Sequence, residues 1–317
     1  MSDLISIGIV LFDEITLFEK QIQSLLTETS KHSVKEFLFI LTSPNADTRE
    51  RFKQIFDSCL IKYRYWIFTE NHIGKARSML VNECQTPLLY MIDPDIEIPA
   101  GSIHHLLNQT DHFQQDICGL AGEAYLKSES DELDRFLNLI QKTNRSLKNN
   151  NQMLTYSHNQ KIQHAPTCHL LLDVQKIKSV GNFSANYSCV GEDLDLSHRL
   201  ADNGLNYLFI QNCRVYHLQN LTNSKWFQKM FKYGLAQAVC FNNNGYKSFM
   251  NHKYLLFFIG LLFVFVLILF PTQTLLLLSF AFVVNFLFFK NIFIMMNSSM
   301  IYFTGICCGL FLRKKTT

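Results

Sequence analysis

The chain has 317 residues, of which 48% are hydrophobic and 17% charged, with a formal net charge of +3. That composition excludes a disordered chain, and so slight a positive balance gives no reason to expect a nucleic-acid ligand. The nine cysteines are odd in number, scattered and without a CxxC pair, which argues against both a disulfide framework and a cysteine-rich zinc site.

Taken in chain order, residues 4–11 (LISIGIVL) form a short apolar run between acids, without the basic leader of a signal peptide, and are expected to be a first core strand. Residues 15–28 place Ile15, Leu17, Phe18, Ile22, Leu25 and Leu26 at near-helical spacing. A strand at 36–41, a helix at 48–58, a strand at 65–69 and a helix at 75–83 follow. The strand LLYMI then ends in Asp93-Pro94-Asp95. This alternation predicts an α/β domain with a mostly parallel, doubly covered, Rossmann-like sheet. Ligands in such sheets bind at the carboxyl ends of the strands, where Asp93 and Asp95 fall. Two carboxylates so placed can share a divalent cation, although an Asp-x-Asp turn is also an ordinary way out of a strand.

The middle of the chain is less regular. A strand is expected at 117–126, an amphipathic helix at 131–147, a polar loop at 147–152 and core sequence again at 168–173. From Val190 the chain runs VGEDLDLSHRL, placing Glu192, Asp193 and Asp195 in the first turn of a helix, where the helix dipole favours them. Asp195 and Arg199 are spaced to pair, and Asn203-Gly204 ends the helix. Strands at 206–210 and 213–217 follow, the second ending in His217. Capping alone would account for these acids, and a lone histidine is usually an ordinary surface or core residue.

Together, and in this order, these pieces resemble the family 2 glycosyltransferases of the GT-A fold. The resemblance covers residues 4–220: the first strand and helix, Gly74-Lys75-Ala76-Arg77, Asp93-Pro94-Asp95, GEDLDL with Arg199, and Val215-Tyr216-His217. It implies an inverting, metal-dependent transfer from a nucleotide-sugar donor, a UDP-sugar first of all. Asp95 would ligate Mg²⁺ or Mn²⁺ together with His217, and Asp93 would contact the ribose or a metal-bound water. Asp193 would be the general base, with Glu192 its helper or an acceptor contact. Lys75 and Arg77 would line the nucleotide pocket, or else form a solvated helix start. Where relatives carry an aspartate pair after the second strand, this chain has Thr42-Ser43-Pro44-Asn45, and its first segment is Val10-Leu11-Phe12-Asp13. Asp13 and Asp47 therefore stand as further donor-site candidates.

Beyond residue 220 the character of the sequence changes. Residues 222–240 wind into an amphipathic helix with Trp226, Phe227, Met230, Phe231, Gly234 and Ala238 on one face and Lys225, Lys229 and Lys232 opposite. That pattern suits a membrane interface or a helix packed on the soluble domain. From Tyr254 to Leu312 the chain is dominated by Leu, Phe, Ile, Val and Met, with Lys290 its one formal charge. This exceeds a single bilayer crossing of roughly 20 residues. The expected organisation is a catalytic domain over 1–220, an interface helix and connector over 221–252, two or three membrane helices over 253–312 and a basic tail over 313–317. Gly305-x-x-x-Gly309 would let another helix approach closely. The tail, with no leader before it, predicts a multi-pass protein of the inner or plasma membrane whose catalytic domain is cytoplasmic. Its acceptor would be a lipid-linked saccharide. The competing expectation is a catalytically silent GT-A domain that binds nucleotide sugar as an assembly subunit; a transporter is disfavoured by a tail so poor in ionisable residues.

Overall fold

Strand β1 (Ile5–Leu11) is buried at every residue, as a strand covered on both faces must be. In the computed structural model it lies between parallel neighbours β2 (Val34–Thr42) and β4 (Leu88–Ile92), and β2 pairs in parallel with β3 (Tyr63–Phe68). Helices α1 (Ile15–Thr29), α2 (Ala46–Asp57) and α3 (Ile73–Glu83) make the crossovers. Successive residues of β2 enter opposite layers. Phe37 and Phe39 meet Phe18 of α1 and Phe52 and Phe56 of α2, while Leu38 and Ile40 share the other layer with Ala76 and Leu80 of α3. Each side chain of this size contributes about 1.5–3 kcal/mol when fully buried. The structure describes residues 5–12, 15–30, 34–57, 62–127, 160–162, 164–218 and 223–244, together with 301, 302, 304–306 and 308.

The sheet continues through β8 (His169–Asp173), β6 (Ile117–Lys127) and β9 (Asn206–Leu218) to β5 (Ile96–Glu97), in the order β3-β2-β1-β4-β8-β6-β9-β5, with β7 (Gln160–Ile162) also on β9. The expected mostly parallel sheet needs correction. Among the described residues four strand pairings are parallel and four antiparallel. Strand–helix alternation enforces parallel pairing only as far as β4; beyond it, an apolar run such as HLLLD reveals burial without revealing direction. The two strands expected at 206–210 and 213–217 are one strand. Asn212 takes a left-handed backbone (φ 62) at an irregularity in the β6–β9 register, and pairing resumes at Arg214.

Three further helices belong to this unit: α4 (Ser102–Leu107), α5 (Val174–Ser179) and α6 (Glu192–Asp202). Buried Glu28 at the end of α1 accepts the N–H groups of Gly101 (2.6 Å), Ile103 (3.1 Å) and His104 (3.2 Å). It thereby satisfies the free amides at the start of α4 and fixes the segment that follows Asp93-Pro94-Asp95.

The start of α3 is docked on the loop before α6. The Ile73 N–H donates to the Ser188 carbonyl (3.0 Å) and the Gly74 N–H to that of Tyr187 (2.9 Å). A Cβ on Gly74 would stand 2.1 Å from the Ser184 carbonyl oxygen and 2.9 Å from that of Tyr187, both backbone atoms that cannot rotate away. Gly74→Ala is therefore expected to cost about 1–3 kcal/mol, the scale of an overpacked site, read as a lowered midpoint in thermal unfolding.

The chain divides into two compact units, residues 1–127 with 153–219, and residues 128–152 with 220–317. In the second, α7 (Asn223–Asn244) is the amphipathic helix expected at 222–240. Its Gly234 meets a helical segment near Gly305: a Cβ on Gly234 would lie 2.0 Å from the Tyr302 carbonyl oxygen, and one on Gly305 would lie 2.3 Å from that of Phe231. Gly305, expected to admit a close helix, thus has its partner in α7. Among the described residues no helix is long and apolar enough to cross a membrane. The segments expected to do so, 254–270, 274–289 and most of 292–312, lie outside the described residues, as do the expected helix at 131–147 and the loop at 147–152.

Candidate active site

The carboxyl end of β4 and the short β5 present Asp93 and Asp95 at one edge of the sheet. Strand β5 runs antiparallel to β9 with Ile96 opposite His217, and the Leu218 N–H donates to the Asp95 carbonyl at 2.7 Å. This register carries a histidine from the far end of the domain to the aspartates. His217 Nε2 lies 2.9 Å from Asp95 Oδ1 and 3.9 Å from Asp93 Oδ2. Burial alone would lower the affinity of this ring for a proton. The hydrogen bond to Asp95 and the neighbouring Cys168 outweigh burial and raise its pKa to about 10. The carboxylates therefore make this a place where positive charge is favoured.

Cys168, immediately before β8, completes the cluster. Its thiol, an Asp93 oxygen and a His217 nitrogen lie within 4.8 Å of one another. Sequence reasoning missed it. Its approach depends on the antiparallel pairing of β4 with β8, which no local pattern reveals. Next to it, His169 is buried with its Nδ1 2.7 Å from the Tyr90 hydroxyl; desolvation lowers its pKa to about 3, so the ring is neutral and structural.

Arg77, in the first turns of α3, links the two acidic segments. Its guanidinium donates to Asp93 Oδ1 at 3.0 Å and also to Glu192 Oε1. Glu192 is only 2% exposed, and its second oxygen is buried with no hydrogen-bond partner among the described residues. The alternative of a solvated helix start fails for Arg77, which is 9% exposed and committed to two carboxylates. It holds for Lys75, an exposed side chain paired with Glu70 at 3.1 Å.

Gly191, in the left-handed region (φ 97), turns the chain into α6. The helix is locked from behind: buried Asp195 accepts the Tyr187 hydroxyl at 3.1 Å and pairs with Arg199 at 2.7 Å, the spacing expected from sequence. Asp193, partly exposed beside Glu192, has Oδ1 fixed by the Leu194 N–H at 2.8 Å. Of the remaining candidates, the described one is not gathered in. Asp47 is a largely exposed first-turn acid of α2, 3.8 Å from Arg51, and Asp13 lies outside the described residues.

No protein-family model matches the chain, and no curated protein matches its sequence. Solved structures do match its shape. A mannosyltransferase from Pyrobaculum calidifontis in complex with GDP-Man and Mn²⁺ superposes with a TM-score of 0.68 at 9% identity, over 98% of this chain and 88% of that one. GalNAc-T7 with UDP, GalNAc and Mn²⁺ superposes with a TM-score of 0.54 at 14% identity, over 74% of this chain and 47% of that one. Both neighbours hold the class of divalent cation expected from the Asp-x-Asp motif. The fold is that of the GT-A glycosyltransferases.

Proposed function

We propose that this protein is a family 2, inverting glycosyltransferase that moves a sugar from a nucleotide diphosphate onto a lipid-linked saccharide at the cytoplasmic face of a membrane. The observation that carries this reading is the joining of Asp93, Asp95 and His217 at the carboxyl edge of the sheet to the acidic start of α6 through Arg77. The two neighbours, one bound to GDP-Man and the other to UDP and GalNAc, support a nucleotide-sugar donor and make GDP- and UDP-sugars the first to try.

The donor set fits a divalent cation: two carboxylates and an imidazole converge at one edge of the sheet, where the ion would take the place of the proton that Asp95 helps to hold on His217. Asp93, Asp95 and His217 would hold Mg²⁺ or Mn²⁺, whose chemistry is to neutralise charge developing on the departing diphosphate. The chain's own residues supply the rest. Asp193, at the helix start and reachable from solvent, takes the proton from the acceptor hydroxyl as that oxygen attacks the anomeric carbon. Glu192 is engaged by Arg77, so Arg77 acts as a positioning residue that ties the helix start to Asp93, in place of the nucleotide-pocket lining expected from sequence. Lys75 remains exposed and able to turn toward a phosphate.

The membrane setting rests on the apolar stretch from Tyr254 to Leu312 and on the basic residues Arg313, Lys314 and Lys315. The second reading, a catalytically silent nucleotide-sugar-binding subunit, is favoured by one feature, the absence of an acidic pair at Thr42–Asn45 with Asp47 exposed instead. The deciding experiment incubates the full chain in detergent with Mg²⁺ or Mn²⁺ and a panel of nucleotide sugars, following transfer, hydrolysis and binding. Transfer or hydrolysis of one donor supports the enzyme. Binding without turnover supports the silent subunit, and neither binding nor turnover removes both readings.

A further inference from the structure

We propose that Cys168 is a sulfur ligand of the divalent cation, so that the site is a mixed carboxylate, imidazole and thiolate centre selective for thiophilic ions over Mg²⁺. The inference rests on reading the cluster as a cation site and goes beyond it in the identity of the ligands. Strand register is the first argument. Strands β4 and β8 pair antiparallel with Ile92 opposite His169, so extending the ladder by one residue sets Asp93 opposite Cys168. The cysteine is thereby fixed at the same edge of the sheet as the aspartate motif, and β9 brings His217 to both.

The surroundings of the thiol are the second argument. Cys84 turns its sulfur to the Thr86 hydroxyl and to the carbonyls of Thr86 and Leu88, Cys118 turns its sulfur to the Asn206 carbonyl, and Cys213 is buried among apolar residues; none of these sulfurs is hydrogen-bonded to an ionisable side chain among the described residues. Cys168, only 5% exposed, instead shares its immediate space with a carboxylate oxygen and an imidazole nitrogen, the three donor atoms mutually within 4.8 Å. A packing role calls for no such company. Three ligand types from three strand ends, close enough to contact one ion, form a coordination set. Sulfur also changes the selectivity. Mg²⁺ binds oxygen and gives up water reluctantly, whereas a soft thiolate favours Zn²⁺, Cd²⁺ and Co²⁺.

The test titrates Co²⁺ into the full chain in detergent and follows optical absorption, with parallel titrations of Cd²⁺, Mn²⁺ and Mg²⁺. A sulfur-to-cobalt charge-transfer band in the near ultraviolet is expected for the unaltered protein and for Cys189→Ser, an exposed cysteine. Cys168→Ser should lose the band and weaken Cd²⁺ binding by about 10- to 100-fold, the range over which even outer partners of a metal act, while leaving Mg²⁺ binding within about twofold. Retention of the band by Cys168→Ser, or Co²⁺ binding to the unaltered protein without the band, would overturn the sulfur ligand and leave the function proposed above intact. Failure to bind any of these ions, with nucleoside diphosphate present, would overturn the cation site and the sulfur ligand together.

Discussion

Arg77→Met is expected to lower folding stability by about 3–5 kcal/mol, the cost of leaving a buried charge without its partner. Methionine preserves the length and much of the volume of the side chain, so the loss comes from charge rather than from a cavity. Glu192 is 2% exposed, has one buried oxygen with no partner among the described residues, and would lose the guanidinium that compensates the other. Asp93 would lose a donor at 3.0 Å on the same group. Arg77→Lys should recover only part of the loss, because a point charge cannot donate to two carboxylates as the planar fork does. Glu192→Gln in the Arg77→Met background should recover more, since it removes the stranded charge; the double-mutant cycle, measured by thermal unfolding in detergent, isolates that coupling. A side chain that only contacted donor phosphates would behave differently. Arg77→Met would then raise the KM for nucleotide sugar and leave the unfolding midpoint where it was.

How much of this was legible in the sequence follows from which contacts are local. The alternation from Ile5 to Ile92 appeared as apolar runs and helical spacing because β1, β2 and β4 are buried on both faces, β3 is a half-buried edge strand, and each crossover is short. The acidic start of α6 was legible too, since dipole, i,i+4 pair and stop signal lie within a dozen residues. The pairing of Asp195 with Arg199 is as the spacing predicted. His217 beside Asp95 was reached only by resemblance, as it depends on the β5–β9 register. Cys168 and the burial of Arg77 were missed for the same reason. Each acquires its role from a residue distant in sequence, Asp93 brought in by strand order in one case and Glu192 by the docking of α3 on the loop before α6 in the other, and neither carries a mark in its own neighbourhood. Asn212 shows the limit at single-residue scale: one left-handed residue keeps β9 continuous where sequence suggested a break.

The division of labour within Glu192-Asp193 leads to the largest expected effect on catalysis. Two adjacent acids at a helix start face different ways, and here one is buried against Arg77 while the other is partly exposed. Only the second can meet an acceptor that arrives from solvent. With Asp193 as the general base proposed above, Asp193→Asn should lower turnover by about 10²- to 10⁴-fold, the usual worth of such a positioned group. The substitution leaves the structure nearly unaltered, because the asparagine oxygen can still accept the Leu194 N–H that Asp193 Oδ1 accepts at 2.8 Å. Binding of Mn²⁺ and of nucleoside diphosphate should therefore stay unchanged in titration calorimetry while the initial rate of transfer collapses, a split that loss of folding could not produce. Glu192→Gln makes the useful contrast: it weakens the tie to Arg77 and should cost stability and turnover together. Turnover by Asp193→Asn equal to that of the unaltered protein would reduce Asp193 to a helix-capping acid and leave the acceptor proton without a recipient among the residues assembled here.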